Sequence, residues 1–275
     1  MAKEKTIVFL GAGSMASAMI AGLISNRLVA PDQIVATNVS NRKRLEELAE
    51  RYHIHTTQDR KEAVSRADIV IFAMKPKDLK AAIEEIRPSL RVDEQLYVSV
   101  LAGIPTAYIE RLLGAKASVI RTMPNTSASV GASATAICKG AYATDEQLAE
   151  VKRLFSAIGS VTVVKEEKLD AITGVAGSGP AYFYFIVEAM EKAAIESGLT
   201  EEEAKSFITQ TIVGVGKRLQ STTKTAKQLY EEVMSPQGTT EAGINVLREH
   251  HVQRAIETAV LKAVARSKEL GNSFQ

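Results

Sequence analysis

A glycine-rich segment near the beginning of the chain combines three small residues at fixed spacing. It reads Gly11-Ala12-Gly13-Ser14-Met15-Ala16 and lies between the β-branched run Thr6–Leu10 and a helical pattern over Met15–Asn26. In such a pattern the first glycine allows a sharp turn, and the second lets the backbone approach a pyrophosphate. The small sixth residue keeps the helix close to the sheet. Because unpaired N–H groups at the helix start also attract phosphate, we expect Gly11 to Ala16 to contact a dinucleotide cofactor.

The residues after the second predicted strand indicate which dinucleotide binds. At this place, about 20 residues beyond the glycine pattern, an acidic side chain would hold the ribose hydroxyls of NAD. The strand Ile34–Thr37 is followed instead by Asn38, Ser40 and Arg42. Hydrogen-bond donors and cations suit a 2′-phosphate, so we predict NADPH as the cofactor, with NADH as the second option. The alternative for Arg42 and Arg44 is that they are solvated first-turn residues of the next helix.

A second segment offers hydrogen-bond donors at the start of a helix. Gly238 and Thr239 precede a helical pattern over Thr240–His250. The first N–H groups of a helix have no partner within it, so those of Thr239, Thr240 and Glu241 could seat a carboxylate. The same residues also fit an ordinary helix start in which Thr239 is the N-cap.

Composition and charge exclude several classes of protein. The 275 residues are 45% apolar and 24% charged, which is typical of a globular chain of about two domains and not of a disordered or fibrous one. With 34 basic against 32 acidic residues, the net charge is +2. This balance gives no basic excess for binding a phosphate backbone, so we expect no nucleic-acid partner.

Cysteine and histidine usage points away from disulfides and metal sites. The single cysteine is Cys138, and the four histidines form two close pairs, so we expect no bound metal. Gly11 and Gly13 interrupt the first apolar run, and no run approaches the roughly 18 apolar residues of a membrane span. We therefore expect a reduced, cytoplasmic chain without membrane contact.

Two kinds of hydrophobic periodicity divide the chain. The first part alternates short apolar runs such as Ile69–Ala73 with helical patterns such as Thr106–Leu113, for which Thr106 is the predicted N-cap. This alternation predicts a Rossmann-type, doubly wound and mainly parallel sheet. Only helical periods follow. We predict a dinucleotide-binding domain over residues 1–165 and an all-α dimerisation domain over residues 166–275.

The helical part carries broad apolar stripes. One of them contains Phe183, Val187, Met190 and Ala194. A unit this small has little core in which to bury so wide a stripe, so we expect part of it to face another subunit of a homodimer or larger homo-oligomer. A self-contained helical bundle is the alternative.

Five segments together resemble the pyrroline-5-carboxylate reductase family. They are GAGSMA at 11–16, FAMKPKDL at 72–79, RTMPNTSASVG at 121–131, DAITGVAGSGPAYFYFIVEAM at 170–190 and VMSPQGTTEAGINVLRE at 233–249. The resemblance spans the whole chain in the family's order, and the last segment is the most specific. It implies NAD(P)H-dependent reduction of the cyclic imine 1-pyrroline-5-carboxylate to L-proline, the last step of proline biosynthesis.

The resemblance also implies roles for individual residues. The turn Ala73-Met74-Lys75-Pro76 would contact the cofactor, and Ala102 would lie near the nicotinamide ribose. The substrate-binding residues that it implies are Pro124, Asn125, Ser235, Gly238, Thr239 and Thr240, with an ordinary turn as the alternative for Pro124 and Asn125. Ser178 belongs to a predicted helix break, and its hydroxyl could line the substrate pocket. The loop over residues 235–240 would come from the other subunit of a dimer. With the substrate carboxylate at the helix start, the ring nitrogen would lie near the hydroxyl of Thr240, which is the predicted catalytic residue because it could orient or relay a proton.

Three residues depart from the family's pattern, and two other functions compete with it. Gln237 replaces the first glycine of a Ser-Pro-Gly-Gly loop, Arg60 stands where relatives often have asparagine near the adenine side, and Glu232 stands where amides are frequent. One alternative is a β-hydroxyacid dehydrogenase, but its catalytic lysine and asparagine align with Phe183 and Val187. The other is a non-catalytic NADP-sensing module.

Overall fold

The structure is a computed structural model that describes residues 5–114, 116–272 and 274. The strands are β1 (Ile7–Leu10), β2 (Ile34–Thr37), β3 (His55–Thr57), β4 (Ile69–Phe72), β5 (Leu96–Ser99), β6 (Ser118–Met123), β7 (Ser133–Lys139) and β8 (Gly159–Val163). The helices are α1 (Ser14–Ser25), α2 (Arg42–Tyr52), α3 (Arg60–Ser65), α4 (Leu79–Ile86), α5 (Thr106–Leu113), α6 (Asp145–Phe155), α7 (Leu169–Ile172), α8 (Gly179–Glu196), α9 (Glu201–Gln220), α10 (Ala226–Val233), α11 (Thr239–Glu249) and α12 (Val252–Asn272).

The strands form one sheet in the order β3-β2-β1-β4-β5-β6-β7-β8. Neighbouring strands are parallel except β6 and β7. Every residue of β1 and β4 is buried, as expected for the centre of a parallel sheet with helices on both faces. The predicted fold class, a Rossmann-type mainly parallel sheet followed by helices, is confirmed. Because the strand order reverses at β1, a crevice opens at the carboxyl ends of β1 and β4, where this class of sheet binds ligands.

Helix starts show where local sequence signals decide the structure and where they do not. Thr144 and Gln147 form a reciprocal capping box at α6, as their spacing predicts. The prediction that Thr106 caps α5 is wrong, because Pro105 occupies the N-cap position. The N–H and hydroxyl of Thr106 donate instead to the Glu166 carboxylate, at 2.8 and 2.7 Å. A carboxylate distant in sequence thus takes the hydroxyl that would otherwise cap the helix.

The chain forms two compact units. Residues 1–180 together with 262–275 make up the first, and residues 181–261 make up the second. The boundary at residue 165 marks where strand signals end in the sequence, and it stays a prediction. None of the helices in the described part of the chain has the length and apolar content needed to cross a membrane.

The second unit exposes large apolar side chains. Phe183, Phe185 and Phe207 are 64%, 77% and 66% exposed, whereas the buried hydrophobic residues of this unit are Ala204 and Ile208. A self-contained bundle would cover such rings within its own core. The exposure therefore favours the expectation that this apolar surface meets another subunit.

Candidate active site

Two glycines with different surroundings shape the loop between β1 and α1. Gly11 has a φ of +119°, and a Cβ built on it would lie 2.4 Å from the carbonyl oxygen of Ala73. Its N–H donates to the carbonyl of Thr37 at 3.1 Å, so the loop is held between the ends of β2 and β4. Gly13 is the N-cap of α1, and a Cβ there would meet no atom within 4 Å. The backbone of Gly13 therefore faces open space that a ligand can enter.

That space belongs to a cleft of about 700 Å³ at the carboxyl ends of the strands. The predicted cofactor residues that line it are Gly11, Ala12, Gly13, Ser14, Met15, Asn38, Ser40, Ala73, Met74 and Lys75. Ala16 is fully buried in α1. Pro76 begins a short 3₁₀ turn, and Ala102 follows β5 in a turn; neither is among the residues that line the cleft. The open cradle above Gly13 fits the pyrophosphate of a dinucleotide.

The loop after β2 is organised by its own side chains. Asn38 Oδ1 accepts from two following backbone N–H groups, at 3.1 and 3.0 Å. Arg42 is 79% exposed and pairs with a glutamate one turn further on, which matches the alternative of a solvated first-turn residue. Arg44 instead donates from Nε to the carbonyl of Ala12 at 3.1 Å and thereby supports the glycine loop. Local sequence does not separate Arg42 from Arg44, because this contact depends on how α2 packs beside the loop.

The loop between α10 and α11 ends in a helix start that has no side-chain cap among the described residues. Gly238 is the N-cap of α11, so the alternative in which Thr239 caps the helix is wrong. The N–H of Gly238 donates to the Ser235 carbonyl at 2.9 Å, and a Cβ on Gly238 would lie 2.4 Å from Ser235 Oγ. The N–H of Ala242 bonds to the Gly238 carbonyl at 3.2 Å. The N–H groups of residues 239–241 precede that bond and are oriented to receive an anion.

Thr240 lines an apolar cleft of about 630 Å³ within the second unit. Arg218, Tyr230 and Glu232 line the same cleft. Glu232 accepts from Arg218 at 3.2 Å and also pairs with Lys224. The hydrogen bond from Lys224 lowers the pKa of the Glu232 carboxyl, which favours its ionised form. This carboxylate is thus already paired with Arg218 and Lys224.

Asn125 connects the end of β6 to the turn before α8. Its Nδ2 donates to the carbonyl of Ala176 at 3.0 Å, and its Oδ1 accepts from the N–H of Ser127 at 3.1 Å. Ser178 follows Ala176 in that turn, after a π-helical segment over Thr173–Gly177. The first unit thus brings the segment of Pro124 and Asn125 close to the segment that carries Ser178.

A buried cation behind this region has no signature in the sequence. Arg121 is 6% exposed, and its Nη1 lies 3.1 Å from Glu166 Oε1. Its Nη2 lies 4.0 Å from Asp170, which accepts from the hydroxyl of Ser267 at 2.6 Å. These bonds join β6, α7 and α12 within the first unit. Sequence periodicity does not reveal such a network, because its members are far apart along the chain.

Comparison with known proteins identifies the family. Residues 166–270 match a family model described as pyrroline-5-carboxylate reductase dimerisation, and residues 6–103 match one described as NADP oxidoreductase, coenzyme F420-dependent. Pyrroline-5-carboxylate reductase 2 of Bacillus subtilis is 43% identical over 270 residues, which cover 98% of this chain and 96% of that one. The chain belongs to the pyrroline-5-carboxylate reductase family.

Solved structures of pyrroline-5-carboxylate reductases share the fold over nearly the whole chain. The protein from Coxiella burnetii has a TM-score of 0.86 at 36% identity, covering 98% of this chain and 99% of that one. The Plasmodium falciparum pyrroline carboxylate reductase with NADP bound has a TM-score of 0.90 at 24% identity, with the same coverage, and at this identity the likeness concerns the fold. The family, the reductase function and the oxidoreductase class predicted from the sequence are confirmed. The match favours them over the β-hydroxyacid dehydrogenase alternative.

The residues that depart from the pyrroline-5-carboxylate reductase pattern each have a structural partner. Gln237 has a φ of +61°, and its N–H donates to Glu241 Oε2 at 2.7 Å. This left-handed conformation favours glycine, since a side chain there costs roughly 1–2 kcal/mol. Glu232 is held by its two cations, as described above. Arg60 lines the dinucleotide cleft and pairs with Glu85 at 3.1 Å.

Proposed function

We propose that this protein carries out the family's reaction, the reduction of 1-pyrroline-5-carboxylate to L-proline, with NADPH preferred over NADH. The proposal rests above all on one observation: Thr240 lies in the first turn of α11, which has no side-chain cap among the described residues, in a chain that also forms a dinucleotide cleft around Gly13. A carboxylate seat and a dinucleotide cleft are the two sites that this reaction requires.

The dinucleotide cleft holds the cofactor, which supplies the hydride when bound. The backbone of Gly13 and the start of α1 receive the pyrophosphate. Asn38 and Ser40, at the end of β2, face the ribose. No carboxylate follows β2 directly, so the loop lacks the acidic acceptor typical of NAD sites, which supports the preference for NADPH.

The loop before α11 holds the substrate. The N–H groups of Thr239, Thr240 and Glu241 bind its carboxylate, and the hydroxyl of Thr240 orients the ring nitrogen. Hydride addition to the C=N carbon leaves that nitrogen in need of a proton. A threonine hydroxyl is too weak an acid to be the ultimate source, so the proton comes either from water or with substrate that binds as the iminium.

We further propose that the active unit is a homodimer or larger assembly in which the substrate loop comes from the partner subunit. The exposed rings of Phe183, Phe185 and Phe207 supply an apolar surface for such a contact. The match of residues 166–270 to the dimerisation model supports assembly into a homo-oligomer.

Thr240→Ala tests the role of the hydroxyl, and Thr240→Ser is the matched control because it keeps the hydroxyl. We expect Thr240→Ala to lower kcat with pyrroline-5-carboxylate by about tenfold to a hundredfold, while the Kd for NADPH stays unchanged. Thr240→Ser should recover most of the activity. Wild-type protein that turns over with neither NADPH nor NADH would refute the enzyme function and favour the NADP-sensing module.

Mixing two impaired variants tests the shared site. Gly13→Glu blocks the dinucleotide cleft, and Thr240→Ala removes the hydroxyl. If each site combines two chains, random exchange of subunits restores about a quarter of the wild-type activity. No recovery after proven subunit exchange would place both residues of a site in one chain.

A further inference from the structure

Arg60 is a partly buried cation in the dinucleotide cleft whose hydrogen bonds are incomplete. It is the first residue of α3, and its side chain is 14% exposed. Nη1 donates to Glu85 Oε2 at 3.1 Å, but the buried Nε has no hydrogen-bond partner among the described residues. A buried donor without an acceptor is unfavourable, so this side chain can gain stability by donating a hydrogen bond to a ligand in the cleft.

The sheet order shows which part of a dinucleotide reaches Arg60. The glycine loop follows β1, Asn38 follows β2 and Arg60 follows β3, and these three strands are neighbours. In this fold the pyrophosphate lies at the end of the first strand and the ribose at the end of the second. The end of the third strand therefore meets the group beyond the ribose, which is the adenine base. The segment is anchored there, because Gln58 Nε2 donates to the carbonyl of Val39 at 2.9 Å.

The surroundings of Arg60 suit a neutral aromatic ring better than a phosphate. Val39, Ala81 and Ala82 line the same cleft and are apolar. The Glu85 carboxylate forms an ion pair with the Arg60 guanidinium. It offsets the positive charge of Arg60 and would repel a 2′-phosphate. A planar guanidinium packs well on aromatic rings and can donate to ring nitrogens.

We infer that Arg60, held by Glu85, binds the adenine base of the cofactor through its planar guanidinium. This inference rests on the proposed function, since it assumes a dinucleotide in the cleft. Arg60 thereby makes this chain's cofactor affinity depend on a cation that follows β3.

Binding measurements on the full-length protein test the inference without relying on activity. The variants are Arg60→Ala, Arg60→Lys and, as the matched control, Arg66→Ala, since Arg66 is 78% exposed at the end of the same helix. Four ligands separate the parts of the cofactor: NADPH, NADH, 5′-AMP and reduced nicotinamide mononucleotide, which lacks the adenosine. Calorimetry or nucleotide fluorescence gives each Kd.

We expect Arg60→Ala to raise the Kd values for NADPH, NADH and 5′-AMP by the same factor of about ten and to leave the Kd for the mononucleotide unchanged. Arg66→Ala should leave all four Kd values unchanged. Arg60→Lys should resemble Arg60→Ala, because lysine keeps the positive charge but lacks the planar guanidinium group. An unchanged mononucleotide affinity and thermal midpoint exclude misfolding as the cause.

Two results with the Arg60 variants would overturn the inference. A loss confined to NADPH would make Arg60 a ligand of the 2′-phosphate, and unchanged affinity for all four ligands would make its role structural. The proposed function fails separately: wild-type protein that binds NADPH without reducing pyrroline-5-carboxylate refutes the enzyme activity and leaves the adenine assignment standing. Wild-type protein that binds no dinucleotide refutes both.

Discussion

Alanine at Gly11 and alanine at Gly13 should have opposite consequences, although both glycines belong to one loop. Gly11 has a φ of +119°, which costs an L side chain about 1–3 kcal/mol. An alanine Cβ would also lie 2.4 Å from the Ala73 carbonyl oxygen and 2.9 Å from the Met74 nitrogen. Both atoms are backbone at the end of β4, so relief requires shifting the strand, at a further cost of about 1–3 kcal/mol. We expect Gly11→Ala to lower the free energy of unfolding by about 2–6 kcal/mol.

Gly13→Ala should leave the fold intact and damage the cleft. Its φ of −73° is open to any residue, and a Cβ would meet nothing within 4 Å. The weaker N-capping by alanine is offset by the lower entropy of the unfolded chain, so the free energy of unfolding should change by less than about 1 kcal/mol. The methyl group would nevertheless occupy the space next to the backbone that receives the pyrophosphate. We expect the Kd for NADPH to rise by at least about tenfold, which is 1.4 kcal/mol.

Urea denaturation followed by far-ultraviolet circular dichroism gives the stabilities, and quenching of NADPH fluorescence gives the affinities. The reasoning would be refuted if Gly11→Ala were as stable as Gly13→Ala, since the close approach of Gly11 to the backbone after β4 would then have no effect on stability. It would also be refuted if Gly13→Ala bound NADPH like the wild type, because the open space above Gly13 would then not be the cofactor's position.

Two further predictions concern buried groups of the first unit. Glu166→Ala removes the carboxylate that lies 3.1 Å from the 6%-exposed Arg121 and should lower the free energy of unfolding by about 3 kcal/mol. The control is Glu167→Ala, at an exposed neighbouring residue, which should change the free energy of unfolding by less than about 0.5 kcal/mol. Equal urea midpoints for the two variants would contradict this prediction. Burial raises the pKa of the Cys138 thiol from 9.0 to about 12, so a thiol reagent at about pH 8 should label the protein only after unfolding. The contribution of the protonated Cys138 thiol to the free energy of unfolding is fully present below pH 9.0 and is lost as the pH rises toward 12. In urea titrations at several pH values, Cys138→Ala should therefore lose less stability at alkaline pH than the wild type does.

Local sequence was sufficient to predict most of the strands and helices and the glycine motif of the dinucleotide cleft. The apolar run at β4 is buried at every position, and a continuous run of this kind predicts a strand in a sheet covered on both faces. The capping pair Thr144 and Gln147 predicts the start of α6 because all the atoms involved lie within one helical turn. Two short helices, α3 and α10, lie outside the predicted elements. The six residues of α3 give too little periodicity to distinguish a helix from a loop, whereas the reciprocal capping box of Thr225 and Gln228 marks the start of α10.

Several functional details depend on residues that are far apart in the chain. Arg42 and Arg44 look alike in the sequence, but only the packing of α2 brings Arg44 to the carbonyl of Ala12. Thr106 has the type and position of an N-cap, yet Glu166, 60 residues away, takes its hydroxyl. The departure at Arg60 acquires a meaning only once Glu85 and the cleft are seen beside it.

The sequence by itself determined the order of strands and helices, the dinucleotide turn and the family, because periodicity, capping and glycine spacing act within a few residues of the chain. The tertiary structure decided why Gly11 must be glycine, that Gly238 and not Thr239 is the N-cap of α11, and which cations support the cofactor cleft. These outcomes depend on how closely two backbones approach and which buried donor finds an acceptor. Such contacts depend on packing in three dimensions and have no counterpart in local sequence spacing.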